Sequence, residues 1–213
     1  CITDNGYADV TGDNLPEIAF SRLVAANGTE AQMMVSKQLE YEYTNPNMDA
    51  ASYDHPITAL GWQTVRWFQI CSEAVGGYWR LQGKHPVRIN EVYDGAPGNE
   101  WSTATNTSAV VNYFGPNGQG YIPASPTELG DWNGGTGYQV VNAVNSGCML
   151  LQHRDHGYYQ GWGEPDFSNS NVSQMTNTGK LTFVNTINCQ TGTFDHGTDC
   201  LVESFMRRTY NGQ

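Results

Sequence analysis

Apolar residues in this chain come in short runs, and the most telling of those runs break off into polar segments rather than into turn glycines. Met149-Leu150-Leu151 leads into Gln152, His153 and His156, and Leu181-Thr182-Phe183-Val184 leads into Asn185, Asn188 and Cys189. A strand covered on both faces shows a continuous apolar run instead of strict alternation, so both runs are predicted to be buried parallel strands. Val65 to Cys71 reads as a further strand that ends in Ser72-Glu73, Leu15 to Leu23 as another, and Gly120 to Pro123 as a short one. Residues 44 to 61 read as a loop rich in Pro, Asn and Asp.

Helical periodicity fills the gaps between these runs. Thr29-Glu30-Ala31-Gln32 has the form of a capping box, followed by Ala31, Met34, Val35 and Leu39 on one stripe, with a stop before Pro46. Ser108 to Phe114 reads as a short helix. Thr136 is placed to cap a helix that carries Val140, Val141 and Val144 and ends at Gly147. A last helix presents Leu201 and Phe205 inward, with Asp199 as its cap and Arg207-Arg208 at its end. Strands alternating with helices predict an α/β fold on a right-handed parallel sheet.

Composition narrows the function. The 213 residues suit one domain or one domain plus part of another. A net charge of −11 with only ten Lys and Arg disfavours nucleic acid and anionic membrane as partners, since phosphate binding needs clustered cations. The sequence holds no run of eighteen apolar residues, so no membrane span is expected. Gly-rich Asp131 to Gly137 lacks nucleotide-binding spacing. The five cysteines, Cys1, Cys71, Cys148, Cys189 and Cys200, are odd in number and form no C-x-x-C pair, which argues against zinc. Cys71 and Cys148 sit in apolar runs and read as small buried hydrophobes. Cys189 differs, because polar residues follow it at once; its other reading is a disulfide with Cys200. Asp4, Asp9 and Asp13 lie in a turn-rich acidic loop where a structural calcium ion is conceivable, and no other cofactor is expected.

Ligand sites in open α/β sheets lie just beyond the carboxyl ends of strands. There the reading puts His153 or His156 beside Cys189, a thiol and an imidazole able to act as a nucleophilic pair. His156-Gly157, Trp162 six residues on, Cys189 thirty-three residues after the histidine, then Phe194, Cys200 and the helix Leu-Val-Glu-Ser-Phe-Met-Arg resemble the catalytic core of the gingipain family of cysteine peptidases. The segment from Tyr7 to Leu23 with the helix ending Leu39-Glu40-Tyr41-Glu42 is similar to the one preceding the active-site sheet in that family.

The resemblance implies a caspase-like three-layer sandwich with a mainly parallel central sheet, residues 1–27 forming the tail of a preceding subdomain or an N-terminal strand region and residues 28–213 the catalytic domain. Family domains continue with further strands, which leaves three readings of a domain truncated at its C-terminal side: a processed fragment, a chain completed by an additional chain or domain, or a compact variant. The resemblance further implies a secreted or cell-surface bacterial endopeptidase with Cys189 as nucleophile, His156 as acid and base, Glu73 as the carboxylate orienting that histidine, and the Gly157 and Cys189 amides as oxyanion donors. Its substrate would be a protein or peptide, contacted by Trp162, His153 and Arg88. Arginine-specific members carry an aspartate in the stretch matching Trp79 to Arg88, and here that stretch has no acid but several cations. Two other functions fit the same residues: a non-catalytic binding or assembly module that keeps the fold, and a sortase-like transpeptidase.

Overall fold

Four parallel strands form the centre of the molecule, in the spatial order β2-β1-β3-β7. The computed structural model describes residues 5–43, 48–94 and 97–209. β1 is Ile57–Trp62, β2 Val87–Val92, β3 Leu150–Arg154 and β7 Phe183–Ile187. Between β3 and β7 a small antiparallel sheet is built from β4 (Gly157–Tyr158), β5 (Gly161–Trp162) and β6 (Phe167–Ser168). The helices are α1 (Asn5–Ala8), α2 (Gly28–Tyr43), α3 (Ala50–Asp54), α4 (Phe68–Leu81), α5 (Thr107–Phe114), α6 (Gly137–Ser146), α7 (Asn169–Val172) and α8 (Leu201–Arg207).

The alternation of side chains along β1 divides the core. Ile57 and Ala59 face a layer made of Val140, Val141 and Val144 of α6 with Leu151, Phe167 and Leu201. Leu60 and Trp62 face the other way, onto Ile70 and Ala74 of α4 and the indoles of Trp101 and Trp132. A sheet with helices on both faces is the three-layer α/β sandwich that the sequence predicts. Every residue of β1 is buried, as expected for a central parallel strand.

Several elements differ from the sequence reading. β1 lies inside the stretch read as a loop, and the run Val65 to Cys71 is not a strand but the entry to α4. That helix packs closely because Ala74, Gly76 and Gly77 are small; a Cβ on Gly77 would sit 1.7 Å from the Tyr121 carbonyl oxygen. Leu15 to Leu23 and Gly120 to Pro123 form no strand. β7 is not buried on both faces; it is an edge strand, with Phe183 and Ile187 exposed by 61% and 49%.

The predicted helices hold better, though their caps shift. α2 is capped by Asn27, whose side chain accepts from the Glu30 amide while Glu30 accepts from the Ala26 amide; of the expected stripe only Met34 is buried. Thr136 and Gln139 make the capping box of α6, and Gly147 ends it at φ 99°. α8 is capped by Cys200, not Asp199, with Glu203 accepting from the Cys200 amide at 2.9 Å. Asp199 instead pairs with Arg207, which also reaches Glu203 and Glu30.

Candidate active site

The carboxyl ends of all four parallel strands carry polar or nucleophilic residues: Gln63 after β1, Tyr93 after β2, Asp155-His156-Gly157 after β3 and Asn188-Cys189 after β7. β3 and β7 pair in register, Arg154 opposite Ile187. His156 and Cys189 each stand two residues past that last pair, so adjacent strands deliver imidazole and thiol to matching positions. His156 is half-buried and Cys189 is exposed.

The His156 ring is held from three sides. Its Nε2 lies 3.0 Å from the Gln63 side-chain oxygen, and the rings of Phe68 and Tyr93 meet it edge-on at centroid distances of 5.1 and 5.8 Å. Gln63 did not emerge from the sequence, because its strand was read as a loop; a polar residue directly after an apolar strand is the signal that would have found it.

Gly157 occupies a place no side chain could share. A Cβ there would lie 2.8 Å from both the Asn188 Cγ and the Cys189 carbonyl oxygen. The backbone on either side fixes the direction of its N–H. The Gly163 amide donates to the His156 carbonyl at 3.0 Å, making that pair hydrogen-bonded. In an antiparallel ladder such pairs alternate, so the next pair, Gly157 with Trp162, leaves the Gly157 N–H pointing out of the hairpin.

The turn carrying Cys189 is tied down from both sides. The Thr191 amide donates to the Cys189 carbonyl at 2.8 Å, and Gln190 between them adopts φ 62°, in the left-handed region. The Asn188 side chain donates to Thr186 Oγ1 and to His153 Nδ1, and accepts from the Thr191 hydroxyl at 2.6 Å. Strain concentrated next to a reactive group is common at functional turns.

Of the residues expected to contact substrate, His153 and Trp162 are interior, and Arg88 is half-buried with its guanidinium engaged by other groups. His153 is fully buried and stacks on the equally buried Trp162. Its Nε2–H donates to the Glu164 carbonyl at 3.1 Å and its Nδ1 accepts from Asn188, an Nε2–H tautomer assigned by the network. Burial first, then the nearby Arg154 charge, pushes its pKa down to about 3, so the ring is neutral. Arg88 donates to Glu73 at 2.7 Å and to the Gly130 carbonyl at 2.8 Å, and stacks over Trp132.

Glu73 is likewise displaced from its expected role. It lies within α4, fully buried, and among the described residues its hydrogen bonds go to Arg88 and Asn90, with Arg80 3.9 Å away. It neutralises two buried or half-buried guanidinium groups and accepts no bond from His156.

The cysteines separate in the same way. Cys71 and Cys189 are exposed and Cys148 and Cys200 buried, all four unbridged, while Cys1 lies outside the described residues. Cys71 thus departs from its expected burial, because the helix turns it outward. Burial pushes the Cys148 thiol up to about 11. Of the acidic loop, Asp4 lies outside the described residues. Asp9, Asp13 and Glu17 bring oxygen atoms within 4.8 Å of one another. Each already accepts backbone amides of its own turn, such as Gly12 at 2.6 Å on Asp9 and Val10 at 2.7 Å on Glu17. No helix among the described residues is long and apolar enough to cross a membrane.

A parallel α/β sheet with helices on both faces, carrying a thiol and an imidazole beyond neighbouring strand ends, defines the class as one of caspase-like fold. Within that class the chain belongs to Peptidase family C25, whose family model matches residues 2–213. Gingipain R2 of Porphyromonas gingivalis (strain ATCC BAA-308 / W83) is 31% identical over 80 residues, 38% of this chain and 11% of that protein. Gingipain R1 of Porphyromonas gingivalis is 31% identical over an equal stretch, 8% of its length. The crystal structure of the Arg-specific cysteine proteinase gingipain R superimposes with a TM-score of 0.69 at 15% identity, covering 99% of this chain and 41% of that one. A complex of the Porphyromonas gingivalis RgpB pro- and mature domains gives 0.66 at 15% identity, covering 99% of this chain and 42% of that one. The matches thus span about a tenth of the curated relatives and two fifths of the solved chains.

Proposed function

We propose that this chain carries the active centre of a secreted or surface cysteine endopeptidase, with Cys189 as nucleophile and His156 as general acid and base. The observation that supports it most is the in-register offset of β3 and β7, which sets the exposed thiol and the half-buried imidazole at equivalent positions past two adjacent strands. In the proposed reaction the Cys189 thiol passes its proton to His156, its sulfur attacks a peptide carbonyl carbon, and the electron pair moves to the carbonyl oxygen. The Gly157 and Cys189 amides donate to that oxyanion. Collapse expels the amine, which takes a proton from His156, and leaves a thioester. Water, deprotonated by His156, then hydrolyses the thioester and restores the thiol.

The outer edge of β7 supports a second part of the proposal, that a further chain or domain extends the sheet beyond the exposed Phe183 and Ile187.

Screening a positional library of fluorogenic peptides tests the reading. Wild type should cleave members of it, and Cys189→Ala and His156→Ala should each lose at least about a thousandfold in turnover. Full turnover by Cys189→Ala would overturn it. An added amine that diverts product from acid to amide would identify acyl transfer instead.

A further inference from the structure

We propose that Asp155 and Tyr93 form a positioning pair for His156, in the role that the sequence reading gave to Glu73. This rests on His156 being the acid and base of the proposed reaction. Asp155 immediately precedes His156 beyond β3, and Tyr93 immediately follows β2. The Asp155 carboxylate is 1% exposed, and its Oδ2 accepts from the Tyr93 hydroxyl and the Glu164 amide, each at 2.6 Å. That single oxygen therefore ties together the segments following β2 and β5 at the end of β3.

The surroundings are cut to fit the pair. A Cβ on Gly61 would lie 2.4 Å from the Asp155 Cγ, and one on Gly163 would lie 2.1 Å from the Tyr93 hydroxyl and 2.9 Å from the Asp155 Oδ2. Two glycines on different elements thus leave room for one carboxylate and one phenol. Removing a carboxyl group from water is costly unless donors replace the water. Burial pushes the Asp155 carboxyl up, while Tyr93 and the amides of Glu164 and His156 hold it down. Burial and Asp155 together raise the Tyr93 hydroxyl well above the usual phenol range, so it remains a donor.

Packing alone does not require such a group here. The adjoining guanidinium of Arg154 donates to the Ile187 and Asp155 backbone carbonyls and stacks over Phe68. What the pair does hold is the Tyr93 ring, which stands edge-on to the His156 imidazole at 75° and adds a third contact to those of Gln63 and Phe68. A histidine whose ring is fixed by neighbours and second-layer hydrogen bonds reaches the reacting atoms without losing orientation.

The test compares Tyr93→Phe and Asp155→Asn in the full chain, each checked for native circular dichroism and melting. On the best peptide of the library, kcat should fall about tenfold to a hundredfold in each variant, with KM within about twofold. The double variant should be little worse than either alone, because the two act as a unit. In a Cys189→Ala background, the ring C–H resonances of His156 should broaden or shift in both variants. Folded variants with kcat within about twofold of wild type and unchanged His156 resonances would overturn the proposal. If Asp155→Asn fails to fold, Tyr93→Phe, which removes only a hydroxyl, decides the matter. If wild type cleaves no peptide, the peptidase reading falls, and the resonances of His156 still decide this one.

Discussion

His153 lies flat on Trp162, with ring centroids 3.7 Å apart and planes within 5°, and neither ring reaches solvent. The contact fastens β3 to the small sheet that follows it, and the burial of the imidazole keeps it uncharged.

A pH dependence of stability follows from that uncharged ring. The folded-state pKa near 3 lies below the ordinary 6.5, so below about pH 6.5 the unfolded chain binds a proton that the folded chain refuses. This contribution is complete above that pH and is lost as the pH falls toward 3, on the order of 1 kcal/mol per pH unit. Urea unfolding between pH 4 and pH 7 should show His153→Phe losing less stability on acidification than wild type; parallel curves would contradict the assignment.

Thiol accessibility gives a second expectation. Iodoacetamide followed by peptide mapping should modify Cys71 and Cys189 in the folded protein, and Cys148 and Cys200 only after denaturation. Because Cys71 reacts as well, total labelling should drop but not vanish in Cys189→Ala.

Gly157→Ala should be far more harmful to turnover than to folding. Its methyl group would press on the Cys189 carbonyl at 2.8 Å, displacing the backbone amide proposed to bind the oxyanion. Loss of one such donor costs about a hundredfold or more in kcat, which peptide hydrolysis at saturating substrate would measure.

The pair Glu73 and Arg88 should behave as structure. Arg88→Met leaves a buried carboxylate short of its closest cation and should cost about 3 kcal/mol or more, while Glu73→Gln combined with Arg88→Met should cost less than the sum of the two. Chemical denaturation of the four proteins tests this, and peptide preference should be the same in all that fold.

How far the sequence could be read depended on what each residue's neighbours supply. The thirty-three-residue step from His156 to Cys189 equals the pairing offset of β3 and β7, and the polar breaks after both strands pointed to the correct end of the sheet. Thr136, Gln139 and Gly147 marked α6 because caps are local chemistry. β1 was hidden, since six residues containing a glycine and preceded by a proline give no period, and its burial comes from α4 on one side and from elements as distant as β3 and α6 on the other. α4 was mistaken at its start because its apolar entry is as compatible with extended chain as with helix. Glu73, Arg88, His153 and Trp162 look reactive in one dimension; the burial of Glu73, His153 and Trp162, and the pairing of Glu73 with Arg88 and of His153 with Trp162, exist only once the sheet has formed.

Among the described residues β7 touches the rest of the main sheet along one side, through β3. The turn that presents Cys189 therefore hangs from a single ladder, from the Asn188 and Thr191 side chains that lash it down, and from the Val202 amide of α8 on the Thr191 carbonyl. Fraying at this border would disarm the sulfur while α6, β1 and the tryptophan layer stay intact, so reactivity should fade on heating before the molecule melts.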